Sequence, residues 1–147
     1  LAEHSTVAAY VDVRERTLSS LYATLADAAG TTPLGYYVGA PEPGREWIVG
    51  ADLQALSNHV DYYCLPAYES SSDAVIGAYN AVETVIDDVP LHVGLLPGHP
   101  AIDDEATVVD IVETLDSKGV PRLSFYNYGL LPEQSLEWVE TAIETVS

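Results

Sequence analysis

Lysine is almost missing from this chain. Lys118 is the only one, and all five Lys and Arg stand against 23 Asp and Glu, for a formal net charge of -18. Such a molecule repels phosphate backbones and anionic bilayers at long range, which argues against nucleic-acid and membrane-surface roles. Methionine is absent even from position 1, so the sequence is expected to begin inside a longer translation product. A single cysteine, Cys64, excludes an internal disulfide, and within its apolar run it is expected to pack as a small hydrophobe. No apolar run approaches the roughly 18 residues of a bilayer span. No basic-then-apolar leader opens the chain, so neither a span nor a leader is expected. Also missing are a glycine-rich phosphate loop, a G-x-S-x-G elbow, an H-E-x-x-H pair and paired cysteines, and neither a cofactor nor a metal is expected.

What is present is the material of one folded domain. The 147 residues are 48% hydrophobic and include ten Tyr and two Trp, too much apolar and aromatic surface for a disordered acidic chain. The carboxylates must therefore load the outside of a core. A lysine-poor, acidic surface of this kind suits molar salt, where the Debye length shrinks to roughly 3 Å and self-repulsion is suppressed. The protein is expected to weaken at low salt and to work in the cytoplasm of a high-salt organism.

Residues 5 to 29 have the spacing of one long helix, with Val7, Val11, Leu18, Leu21, Tyr22 and Leu25 on one face and Gly30 as its stop. A rhythm follows. β/α units start near residues 34, 60, 91 and 121, each an apolar run, a polar or Gly/Pro loop, and a segment of helical periodicity. Ser71 or Ser72 can cap the helix of Val75, Tyr79, Val82 and Ile86, and Asp103 or Asp104 the helix of Val108, Ile111, Val112 and Leu115. Pro132 suits the first turn of a last helix with a Leu136, Val139, Ile143, Val146 stripe opposite Glu137, Glu140 and Glu144. Only a short helix fits "ADLQALSNH".

A repeat of about 30 residues of strand and helix predicts βαβ units and a parallel sheet. The expected fold class is α/β, a parallel-strand (βα)4 half of a TIM barrel preceded by a long helix, in one domain over residues 1–147. A small open sheet is the alternative. The half-barrel is favoured because no dinucleotide-type glycine turn follows a strand, while Tyr, Trp, Glu, His and Pro collect in the loops after strands. Four parallel strands leave two open edges, completed either by an upstream half or by a second copy as a homodimer.

Parallel strands present functional residues at their carboxyl ends. Those ends offer Glu42, Glu46 and Trp47; Tyr68 and Glu69; His99; and Tyr126, Asn127 and Tyr128. Glu42 and Glu69 are the candidate catalytic carboxylates, although Glu42 and Glu46 in "PEPGREW" also read as a solvated turn and Glu69 as a helix-leading loop. Trp47, Tyr68, His99, Tyr126, Asn127 and Tyr128 are the candidate binding residues, with His99 in "PGHPA" equally readable as a surface histidine. Strand alternation puts Tyr126 and Tyr128 on the lumen side with Ser124, and Leu123 and Phe125 against helices. It likewise groups Tyr62, Cys64, Pro66 and Tyr68. Tyr62 is expected to fill the barrel interior, and His92 to be a bonded core residue. Aromatic faces with amides and hydroxyls suit a neutral, hydroxyl-rich ligand such as a sugar. A small non-sugar metabolite is a further reading.

The stretches "VDYYCLPAYES", "LHVGLLPG" and "GVPRLSFYNYGLLPEQSLEW" together resemble the carboxyl-terminal half of (β/α)8-barrel glycoside-hydrolase-like proteins of the haloarchaeal type, and more distantly family-18 chitinase-like barrels. The resemblance runs from about Leu34 onward. It implies that Tyr68 and Glu69 match a ligand-facing tyrosine followed by an acid on the sixth strand, and that Tyr126 or Tyr128 stands in for an aromatic platform on the eighth. Chitinase-type catalytic acids come from the fourth strand, ahead of this chain, and "LHVGLLPGHP" lacks the seventh-strand glutamate of the larger retaining group. The resemblance therefore implies half a sugar cleft, inactive alone.

Overall fold

The computed structural model describes residues 5–40, 46–86, 88–98 and 102–146, with the side chains of Glu46 and Trp47 outside that description. Helix α1 (Ser5–Ala29) turns at Gly30, whose φ of 60° is the left-handed value that glycine adopts without a Cβ penalty. Strand β1 (Gly35–Tyr37) is linked to β2 (Tyr62–Pro66) by two single-turn helices, α2 (Glu46–Val49) and α3 (Leu53–Leu56). Then follow α4 (Ser72–Glu83), β3 (Leu91–Leu95), α5 (Glu105–Ser117), β4 (Leu123–Phe125) and α6 (Glu133–Thr145). The fold is α/β, a (βα)4 half-barrel arrangement preceded by a long helix. No described helix is long and apolar enough to cross a membrane.

All strand pairs are parallel and the sheet order is β1-β2-β3-β4, the sequential order of a barrel wall. Right-handed crossovers that advance one strand at a time put every connecting helix on the same face. Residues of alternate parity then meet different surroundings. Tyr63 and Leu65 of β2, with Leu91, Val93 and Leu95 of β3, are buried with Val75, Tyr79 and Val82 of α4 and Val108, Ile111, Val112 and Leu115 of α5. Each such side chain contributes about 1.5–3 kcal/mol by leaving water, so this side holds the fold. Leu123 and Phe125 pack partly against the same core, as their parity predicts. Tyr63 also donates its hydroxyl to the Leu53 carbonyl at 2.6 Å, fixing α3 over β2.

The helix starts follow their caps. Ser71 precedes α4, and Asp104 precedes α5, accepting from the Thr107 amide at 2.9 Å and its hydroxyl at 2.7 Å. Four expectations are corrected. In α6 the buried line is Ser135, Trp138 and Ala142, while Ile143 is exposed and Leu136 and Val139 are half-buried. The indole's large apolar area takes the core position, and small Ser135 and Ala142 let the helix approach closely. A Cβ on Gly98 would overlap the Ser135 hydroxyl, so the turn after β3 sits against this helix. Pro132 is the residue before α6, not within its first turn. In α1 no described residue is fully buried, and Leu21 and Leu25 of the expected inner stripe are exposed. Finally, β4 stops at Phe125 and a 3₁₀ turn occupies Tyr128–Leu130.

Candidate aromatic site on the uncovered sheet face

Among the described residues no helix lies over the other face of the sheet. Its strand residues are Gly35 and Tyr37; Tyr62, Cys64 and Pro66; His92 and Gly94; and Ser124, with Tyr68 and Tyr126 just past the strand ends. Not one is a carboxylate, in a chain with 23 of them. Two aromatic groups organise the surface.

The first lies toward the amino ends of the strands. Tyr62 and His92 stack at 4.6 Å between ring centroids with an interplanar angle of 19°. A Cβ on Gly35 would overlap the Tyr62 ring, so the phenol lies across the β1 backbone and only glycine leaves it room. Burial holds the His92 imidazole below the usual histidine range, and nearby Arg122 pushes the same way. His92 is thus half-buried in a ring stack on the uncovered face, which corrects its expected place as a bonded core residue. Tyr62 is half-buried on the face that was expected to be a filled interior.

The second group lies at the carboxyl ends. Tyr68 and Tyr126 stack at 5.7 Å with planes 20° apart. They follow β2 and β4, strands separated by a whole strand and so roughly 10 Å apart, which means that the rings lean toward each other across β3. On the strand between, Gly94 has no side chain to fill the space. Tyr37 joins from β1, in register with Cys64. Tyr68 feels the charge states of Tyr126, Tyr37 and Cys64. Burial first, and then those neighbours, raise the Tyr68 phenol, and burial raises the Cys64 thiol against the pull of Tyr37. Both groups are therefore neutral at physiological pH. Tyr37 is 74% exposed, Tyr126 53% and Tyr68 38%, so the cluster offers rings and hydroxyls to solvent over a sealed base.

The candidates named from the sequence distribute unevenly. Tyr68 and Tyr126 come together. Asn127 is half-buried and turns the chain, its carbonyl accepting from the Leu130 amide at 2.8 Å. Tyr128 leaves the strand for the 3₁₀ turn and stands exposed, so the lumen-side pairing expected from strand alternation does not form. Glu69 is exposed in the loop leading to α4. Glu42 and His99 lie outside the described residues, as do the side chains of Glu46 and Trp47. Tyr37, Cys64 and the Tyr62–His92 stack are contributors that were not among the candidates. Parity relative to Gly35 selects Tyr37 over Tyr36, but only once the strand register is known.

Among the described residues no group of three His, Cys, Asp or Glu is placed to hold a metal ion. A separate hollow of about 440 Å³ lies on the helix side, lined by Glu15, Val38, Asp52, Leu53, Thr84 and Val85 among others. It follows from the thin crossover: two single-turn helices cover less than a full helix would. Burial, then Asp52 and Asp12, raise the Glu15 carboxyl there.

The fold and site together define a parallel (βα)4 half-barrel arrangement whose uncovered face is aromatic, with no carboxylate among its described strand residues. Compared with known proteins, the chain matches no protein-family model, no curated protein and no solved structure.

Proposed function

We propose that this chain is the carbohydrate-binding half of a glycoside-hydrolase-like barrel adapted to high salt. The observation that supports this most is the stacked Tyr68–Tyr126 pair with Tyr37 beside it, on a face whose described strand residues include no carboxylate. Sugar rings present C–H faces that pack on phenol rings and hydroxyls that bond phenolic oxygens. The Tyr68 phenol and Cys64 thiol at the carboxyl ends are neutral, which suits such a ligand. Glu69 is the described carboxylate nearest in sequence to this cluster, and one exposed acid does not make the pair that glycoside hydrolysis uses. The chain by itself binds and does not cleave.

Titration of neutral oligosaccharides in molar KCl, followed calorimetrically, tests the reading. Tyr68→Ala and Tyr126→Ala are each expected to weaken binding about tenfold, the equivalent of about 1.4 kcal/mol. Unchanged affinity in both variants, or no binding of any neutral oligosaccharide, overturns it.

A further inference from the structure

Resting on that carbohydrate reading, we infer that the sugar taken by the uncovered face is an acidic one: Arg122 and His92 hold its carboxylate at the amino ends of the strands, while its rings reach toward Tyr68 and Tyr126.

The distribution of positive charge carries this assignment. Of the Lys and Arg among the described residues, three are committed within the chain. Arg14 donates to the Val49 carbonyl at 3.3 Å, Arg16 pairs with Asp12 at 2.7 Å, and Lys118 donates to the Asn80 side chain at 3.0 Å over the Tyr79 ring. The Arg122 side chain makes no ion pair and no hydrogen bond among the described residues, in a chain with 23 Asp and Glu to choose from.

Its place is on the uncovered face. Arg122 has the strand parity of Ser124 and precedes the Val93–Leu123 pair by one residue, which sets it opposite His92 on the neighbouring strand. The two are close enough for the guanidinium to disfavour a charged imidazole. Stacking on Tyr62 fixes the plane of the His92 ring, and neither of its nitrogens has a hydrogen-bond partner among the described residues. A neutral imidazole in that state has one N–H to give. A guanidinium fork matches the two oxygens of a carboxylate, and an N–H beside it adds a third donor to the same group.

The rest of the face admits a negative ligand. Its described strand residues include no carboxylate, and Asp61, just ahead of β2, is turned onto the Leu34 amide at 2.7 Å. From Arg122 to Tyr126 the chain advances roughly 13 Å at the rise of a strand. Ser124 and the bare backbone of Gly94 floor that distance. A short oligosaccharide along it meets charge at one end and phenol rings at the other. The acidic helices oppose such a ligand at long range, but molar salt cuts the Debye length to roughly 3 Å and leaves only contact partners to act.

The test is calorimetric titration in molar KCl with trigalacturonate and with its methyl ester, which keeps the rings and removes the charge. The acid is expected to bind at least about fivefold more tightly than the ester. Arg122 is exposed, so Arg122→Gln removes the charge without opening a cavity, and it is expected to bring the acid to within about twofold of the ester. Arg122→Lys, which keeps the charge and loses the fork, is expected to fall between the two. In NMR spectra the His92 ring protons are expected to shift with the acid and not with the ester. Equal affinity for acid and ester, or a preference that survives Arg122→Gln, overturns the inference and leaves the carbohydrate reading standing. A sulfated trisaccharide bound more tightly than trigalacturonate overturns the assignment to a carboxylate. Binding of no oligosaccharide, acidic or neutral, overturns the carbohydrate reading and this inference with it.

Discussion

On one side of the sheet Leu65 and Val93 are sealed beneath helices, while on the other, one residue along the same strands, Cys64 sits near the Tyr37 and Tyr68 rings and a half-buried His92 stacks on Tyr62. Strand alternation has separated the packed core from the aromatic surface. The core on the helix side is mostly aliphatic, whereas the described strand residues of the uncovered side include three aromatic rings and no carboxylate. A residue's parity on a strand therefore tells more about its role than its type does. Tyr63 is a fully buried anchor of α3, and Tyr62 next to it belongs to the uncovered face.

The sharpest way to break the comparison is to truncate one residue on each side. Leu65→Ala is expected to cost about 2–5 kcal/mol in urea unfolding, since it opens a cavity in the packed layer. Tyr126→Ala is expected to cost under about 1.5 kcal/mol, the range of an aromatic pair, because the ring is already half in water. Equal losses would mean that the uncovered face also holds the fold.

Salt should act through the helix side. Lowering KCl from molar to tens of millimolar lengthens the screening distance from about 3 Å to more than 10 Å and is expected to lower the melting temperature. Glu137, Glu140 and Glu144 lie exposed on α6, and changing all three to Gln is expected to flatten part of that dependence. A melting temperature unchanged by dialysis would sink the high-salt reading.

The smallest effect belongs to His92. Because burial holds its folded value below the ordinary 6.5, the unfolded chain takes up the proton first as pH falls. Its contribution is complete above about 6.5 and declines as pH drops through that value toward the folded one. His92→Phe, which keeps a ring on Tyr62, is expected to reduce the loss of urea midpoint between about pH 7 and pH 5.

Much of this arrangement was legible in the sequence. The four strand runs, the caps to within one residue (Ser71 of Ser71 or Ser72, Asp104 of Asp103 or Asp104) and the inward residues of α4 and α5 follow from local signals, because cap chemistry and helical periodicity act within a few residues. What was not legible depends on neighbours distant in sequence. "FYNYG" alternates as a strand would, yet pairing ends at Phe125 and Tyr128 turns away. The aliphatic stripe of α6 gives way to Trp138 because α5 and the Gly98 turn set which side fits closely. Tyr68 and Tyr126 could be named, but their stacking depends on a sheet register that no local pattern contains.

The carboxylate-free face has a consequence for handling the isolated chain. The salt that calms its acidic helices also strengthens association of exposed apolar surface. Its two sides therefore respond to the same ion in opposite senses, and single particles should persist only between a lower concentration, where the helices loosen, and an upper one, where tyrosine faces find each other.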